Sequence, residues 1–155
     1  MRRRPPTRTL LLLLLAITVY AGRELGWLEG VFESADAPAS VAAGAGEARL
    51  LEAWEQRKSG VVVEISGRIE KVLADDRRGS RHQRFILGLP SGHTVLVTHN
   101  IDLAPRIDGL TRSDPVTLRG QYEWNERGGV VHWTHHDPQR RRPGGWIEHR
   151  GRNYR

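Results

Sequence analysis

From Val61 the apolar residues fall at every second position. Val61, Val63, Ile65 and Ile69 alternate with Glu64, Ser66, Arg68 and Glu70, the pattern of a strand with one buried face. Gly67 falls in the apolar phase, where a long strand can bend. Asp75–Ser80 (DDRRGS) reads as a turn. Alternation returns in His82–Leu89, with Phe85, Leu87 and Leu89 on one face and His82 and Arg84 on the other. After the turn Pro90-Ser91-Gly92 it resumes from about His93 to Thr98. His99–Ile107 predicts a short helical turn ending before Pro105, and Asp108–Pro115 a loop. The last pair of strands is Val116–Trp124 and Val130–His135, joined through Asn125–Gly129 as a hairpin. A loop of Glu126–Gly129 sets Trp124 opposite Val131, Tyr122 opposite Trp133 and Glu123 opposite His132. That register puts Tyr122, Trp124 and Trp133 in the core and Gln121, Glu123, His132, Thr134 and His136 on the outer face. It also predicts that Glu123 raises the pKa of His132. The tail GWIEHRGRNYR predicts a small hairpin turning at Arg150-Gly151.

Five strands, the first long and bent, a short segment after the third and a closing hairpin predict an all-β domain, a five-stranded OB-like barrel. A two-sheet sandwich is the alternative that spacing leaves open. Upstream the period changes. Glu47–Lys58 carries Leu50, Leu51 and Trp54 on one stripe, a short helix stopped at Ser59-Gly60. Residues 22–46 read as a flexible linker, clearest in the Ala- and Gly-rich Ser34–Gly46, and residues 47–155 as the domain. Residues 1–21 combine a basic start (MRRRPPTR) with the apolar run Leu10–Ala21. The run is short for a span and fits a signal peptide, cleaved after Val19-Tyr20-Ala21, with an uncleaved anchor as the competing reading. Either sends the rest across the inner membrane to the periplasm, soluble after cleavage or tethered to the membrane by this segment.

A formal charge of +6 suggests nucleic acid until its distribution is seen. Residues 1–21 hold four arginines and no acid, and residues 139–155 hold six arginines and Glu148. The body, 22–138, carries 14 Lys+Arg against 17 Asp+Glu, so nucleic acid is not favoured as a partner. Cysteine is absent, which excludes disulfides, zinc–thiolate sites and a thiol nucleophile.

The phrases GSRHQRFILGLPSGHTVLVTHNIDLAPRI, YEWNERGGVVHWTHHDP and GWIEH resemble an uncharacterised bacterial family, domain of unknown function 3465, over roughly Val61–Tyr154. The resemblance implies a small bacterial protein with an N-terminal export or anchor segment, and no activity. Relatives are expected to carry Gly-Arg-His after the Asp-Pro, whereas Gln139-Arg140-Arg141-Arg142 stands here.

Three groups could carry chemistry. His132, His135, His136 and Asp137 are donors suited to a divalent transition metal. Strand spacing opposes a simple chelate: His132 and His136 share a face about 13 Å apart, and His135 points to the opposite face. Further ligands would have to come from His82, His99, Glu123 or His149. Second, Arg81, His82 and Arg84 with Asn100 and Asp102 could hold a phosphate or carboxylate. With Glu123, His132 and His82 as acid–base residues this becomes a phosphodiesterase-type site. The plainer reading pairs Arg81 and Arg84 with Asp75, Asp76 or Glu70 at the barrel rim. Third, Trp146 is free to be a stacking platform, and Arg140–Arg142 could attract nucleic acid or anionic lipid, although such a run is more often simply solvated. No phosphate-loop, HExxH or serine-triad motif occurs. The favoured function is an exported or membrane-tethered binding or structural module for an anionic or polar ligand. The alternative is a small hydrolase, with or without a metal, acting on a phosphodiester-type substrate.

Overall fold

A computed structural model describes residues 37–142 and 144–155. The run Leu10–Ala21 and the first part of the expected linker lie outside the described residues. No helix among those described is long and apolar enough to cross a membrane.

The chain enters as helix α1, Ala37–Glu55. Its first half is the stretch expected to be a flexible linker. The correction has a physical reason: alanine is the strongest helix former, and Gly46 serves close approach, since a Cβ there would collide with the carbonyl of Glu64. Leu50 and Ala53 enter the core, whereas Trp54 is exposed and meets the His93 ring edge-on at 5.0 Å. Arg57, at φ 54°, ends the helix. Lys58 N–H donates to Ala53 O (2.8 Å) and Arg57 N–H to Trp54 O (3.1 Å), a Schellman closure reached before Ser59-Gly60.

Seven strands follow: β1 (Val61–Val72), β2 (His82–Gly88), β3 (Thr94–Asn100), β4 (Pro115–Glu123), β5 (Val130–His132), β6 (Trp146–His149) and β7 (Arg152–Tyr154). The order β1-β2-β3-β5-β4 closes through a β1–β4 pairing, with β3 and β5 parallel. This is the closed five-stranded OB-type barrel the alternation predicts, and closure removes the barrel's sheet edges. The long β1 serves both neighbours, pairing with β4 from Val61 to Arg68 and with β2 from Arg68 to Val72. At the crossover Gly67 lets the β2 backbone come close, because a Cβ there would strike the carbonyl of Gly88. The expected alternation is seen inside, where Val63, Ile65, Ile69, Phe85, Leu87, Val95, Val97, Val116, Leu118, Tyr122 and Val131 are buried. The C-terminal hairpin turns at Arg150-Gly151, both at positive φ, and adds Ile147 and Tyr154 to the core.

One edge of β4 serves two strands in succession. Gln121–Glu123 pair with β5, and Thr117–Arg119 pair with β6. The opposite edge is taken by β1. The chain must therefore leave the sheet after His132 and return at Trp146. Residues 133–142 and 144–145 lie on that excursion.

The end of the barrel opposite α1 is closed by polar clamps that point inward. Gln83 donates its Nε2–H to Ile107 O (2.8 Å) and accepts Ile107 N–H at Oε1 (2.9 Å). His99 donates Nε2–H to Pro105 O (3.1 Å) and accepts the Thr134 hydroxyl at Nδ1 (2.9 Å). The loop 101–114 is pinned by these two side chains and by a single helical turn, Ala104 N–H to Asn100 O (3.1 Å). A neutral imidazole satisfies both partners of His99, and burial pushes its pKa down to about 4. A depressed folded value means that stability is complete above the ordinary histidine value, 6.5, and is lost as pH falls toward about 4. The shift corresponds to about 3 kcal/mol. Urea denaturation at pH 7.5 and 4.5 should show an acid loss in the wild type that exceeds the loss in His99→Gln by about 2–3 kcal/mol. An equal acid loss in both proteins would remove His99 as its cause.

Candidate functional site

Trp133 is where the chain leaves the sheet. Its φ is 55°, a left-handed conformation that costs a bulky residue about 1–3 kcal/mol. This corrects the expected register. Tyr122 faces Val131 and Gln121 faces His132, two residues away from the predicted pairing. The hairpin loop is longer than four residues: Asn125 Oδ1 accepts both Arg127 N–H (2.8 Å) and Gly129 N–H (3.0 Å). A shift of two preserves the faces, so Tyr122 and Val131 still point inward. Trp124 packs partly buried against the core. Trp133 does not join it. Its half-buried ring lies on the outside, with the rings of His132 and His135 each 5.6 Å away and the Arg142 guanidinium 4.5 Å over its face.

Three adjoining hollows share this indole. One of about 280 Å³ is lined by His82, Thr98, Asn100, His132 and His135, with Ser80 and Leu103. A larger one of about 650 Å³ runs along Leu103, Pro138 and the 137–142 loop. A small one of about 120 Å³ lies between Arg119, Gln121, His135, Arg142 and the backbone of Gly144 and Gly145.

Two of the three histidines lining the first hollow, His82 and His135, are oriented alike. His82 Nδ1 donates to Ser80 O (2.8 Å) and His135 Nδ1 to His136 O (2.7 Å). A carbonyl only accepts, so each neutral ring keeps its Nε2 lone pair free. His132 reverses this, its Nε2–H donating to Glu123 Oε1 at 3.3 Å. The expected carboxylate–imidazole contact is therefore made, diagonally across the strands. Its expected consequence is not. Burial is the largest influence on His132 and lowers its pKa, outweighing the hydrogen bond and charge of Glu123; Arg142 and His82 lower it further. For Glu123, burial is likewise the largest influence and raises its pKa, but hydrogen bonds from Gln121 and His132 overcome it and leave the carboxyl below its ordinary value. Gln121 links the halves of the site, accepting from Arg142 Nη1 (3.3 Å) and donating Nε2–H to Glu123 Oε1 (2.6 Å).

The other sequence-predicted residues are placed as follows. Arg81 pairs with Asp102 through its Nε–H (2.6 Å) and backbone N–H (2.7 Å), bonds that hold the Asp102 carboxyl below its usual range. Arg84 caps the carbonyl of Ala74 (3.1 and 3.0 Å). Neither meets Asp76 or Glu70; Asp75 pairs with Arg106 (3.2 Å). Asn100 lines the histidine hollow while accepting Asp102 N–H (2.9 Å). Trp146 is half-buried on β6 opposite Arg119 and lines none of the three hollows. His149 is buried and donates Nε2–H to Asp114 (3.0 Å), which locks the C-terminal hairpin. His136 is exposed. Asp137 accepts three backbone N–H groups, of Gln139, Arg141 and Arg142, so its carboxylate organises the loop. The proposed ligand set His132, His135, His136 and Asp137 therefore does not converge, and no cluster of three metal-binding side chains occurs among the described residues.

Sequence reasoning missed Arg119, Thr98 and Leu103, placed Gln121 on the outer face without a role, and read Arg142 as part of a run that could attract nucleic acid or anionic lipid but is more often solvated. The available signal was Asp137-Pro138, a turn initiator that folds the following arginines back. From the balance at His132 follows an expected outcome. In proton NMR titration, His132 titrates below an ordinary histidine and Glu123→Gln lowers it further. A raised value, or no response to the substitution, would contradict this account of the pair.

No curated protein matches the chain significantly. The family described as protein of unknown function DUF3465 matches residues 33–155, the helix, the barrel and the C-terminal hairpin together. The chain belongs to the DUF3465 family.

Proposed function

We propose that this protein is an exported binding module whose polar or anionic ligand lies over Trp133 on the outer face of the barrel. The observation that carries this reading is the meeting of three hollows on one strained, half-buried indole, with Arg142 stacked on its face. Strain held at a bulky residue that fills no core position points to a function for that residue. Clefts with an apolar floor and a few oriented polar groups are the usual form of a ligand site. In the purified protein, small carboxylates and phosphates should change the Trp133 signal, and Trp133→Ala should abolish binding while the far-UV circular dichroism stays that of a β-barrel. Binding that survives Trp133→Ala would move the site elsewhere.

A second reading has one specific observation in its favour: His132, backed by Glu123, faces a hollow that also holds His82. An imidazole kept neutral at pH 7 is suited to act as a general base. Hydrolysis of bis(p-nitrophenyl) phosphate that disappears in His132→Gln would favour the hydrolase; its absence in the wild type leaves the binding module.

Export rests on Arg2–Arg4 followed by Leu10–Ala21. Mass spectrometry of the periplasmic fraction should find the chain lacking its first 21 residues. An intact chain in the membrane fraction would mean an anchor.

A further inference from the structure

We infer that the small hollow is the seat of a single oxyanion, a carboxylate or phosphate, on a ligand whose apolar body lies in the larger hollow beside it. This rests on the binding reading above and names the ligand class.

Two arginines line the seat. Arg119 projects from β4, and its one ion-pair partner among the described residues is Glu64 at 4.0 Å, the limit of an ion pair. Its Nε is buried and has no hydrogen-bond partner among the described residues, a donor that protein interiors seldom leave unmatched. Arg142 makes no ion pair among the described residues; it rests on the Trp133 ring and bonds the neutral Gln121 amide. The acid facing the seat is Asp137, and three backbone N–H groups already occupy its oxygens. Two arginines therefore line one small hollow where local negative charge is scarce or already engaged. Guanidinium forks match carboxylate and phosphate oxygens.

Size sets the division between head and body. The seat's volume is about 120 Å³, room for a charged group but well under the roughly 300 Å³ at which whole-ligand sites begin. Its neighbour of about 650 Å³ shares Trp133, Asp137 and Arg142 with it. That hollow adds Gln139, Arg141, Pro138 and Leu103, the last 38% exposed and one of three large apolar side chains left exposed among the described residues. A ligand that satisfies both hollows has one oxyanion head and an apolar body. A fatty carboxylate and an alkyl phosphate share this chemistry.

The test is NMR titration of the full chain, read at the Trp133 indole and assigned with Trp133→Phe, using decanoate, decyl phosphate, decanol and inorganic phosphate. At least one of the two amphiphilic anions should bind ten or more times tighter than decanol and than inorganic phosphate. Which anion binds identifies the head. Arg142→Gln and Arg119→Gln should each weaken it at least tenfold, and Leu103→Ser should weaken the amphiphile without affecting inorganic phosphate. Arg142 is exposed on a loop, so its variant decides the matter if Arg119→Gln does not fold. Decanol binding as tightly as decanoate, or affinity unchanged in Arg142→Gln, overturns the seat. If anions bind but are lost only in His82→Ala or Asn100→Ala, the binding module stands and the seat is wrong. If no anion binds, both readings fall.

Discussion

The constraint on which the site depends is that one edge of β4 must serve both β5 and β6. Two strands cannot occupy the same ladder positions, so β5 stops at His132 and the chain has to turn away. The left-handed φ of Trp133 makes that turn within a single residue. Everything placed on the outer face follows. The ring is thrown outward, His135 is carried beneath it, and Asp137 folds the arginine run back until Arg142 covers the indole. Gly145 closes the excursion, its N–H donating to His135 O (2.8 Å) at a spot where a Cβ would strike the Trp133 carbonyl. Glycine is required there by the close approach of backbones.

The inner face supplies the rigidity that such an excursion needs. Thr134, one residue past the kink, is buried and donates to His99, which in turn holds Pro105. Gln83 holds Ile107 through both its donor and its acceptor. These polar side chains replace strand ladder with side-chain hydrogen bonds where the sheet gives out, and buried polar groups that are fully satisfied in this way define a single arrangement. The outer hollows are thus floored by groups that are themselves fixed from within.

Much of this was legible in the sequence. Alternation marked every strand of the barrel, and glycine at position 67 marked the place where β1 passes from β4 to β2. The Glu123–His132 contact was found with the wrong register, because an error of two residues leaves every side chain on its face. What was not legible depended on tertiary demands. Trp133 sits in phase with core residues, and only the competition of β5 and β6 for one edge takes it out of the core. Gly44 and Gly46 suggested flexibility, whereas the helix needs glycine at 46 to lie against β1. The direction of the His132 pKa was missed because pairing shows in a sequence and desolvation does not.

The outer face divides its electrostatic work. Burial holds His132 below the ordinary histidine range, and backbone carbonyls fix the proton on Nδ1 of His82 and His135. That side of Trp133 presents imidazole nitrogens. The other side offers the permanent charge of Arg119 and Arg142, which no physiological pH removes. Gln121 joins the two, because an amide can accept from the guanidinium with one atom and donate to Glu123 with the other. A carboxylate at 121 would neutralise Arg142 and repel Glu123; a lysine would repel the arginine. The neutral amide is the side chain that lets cation and anion stand on the same face without cancelling, and it keeps the positive charge beside Trp133 available.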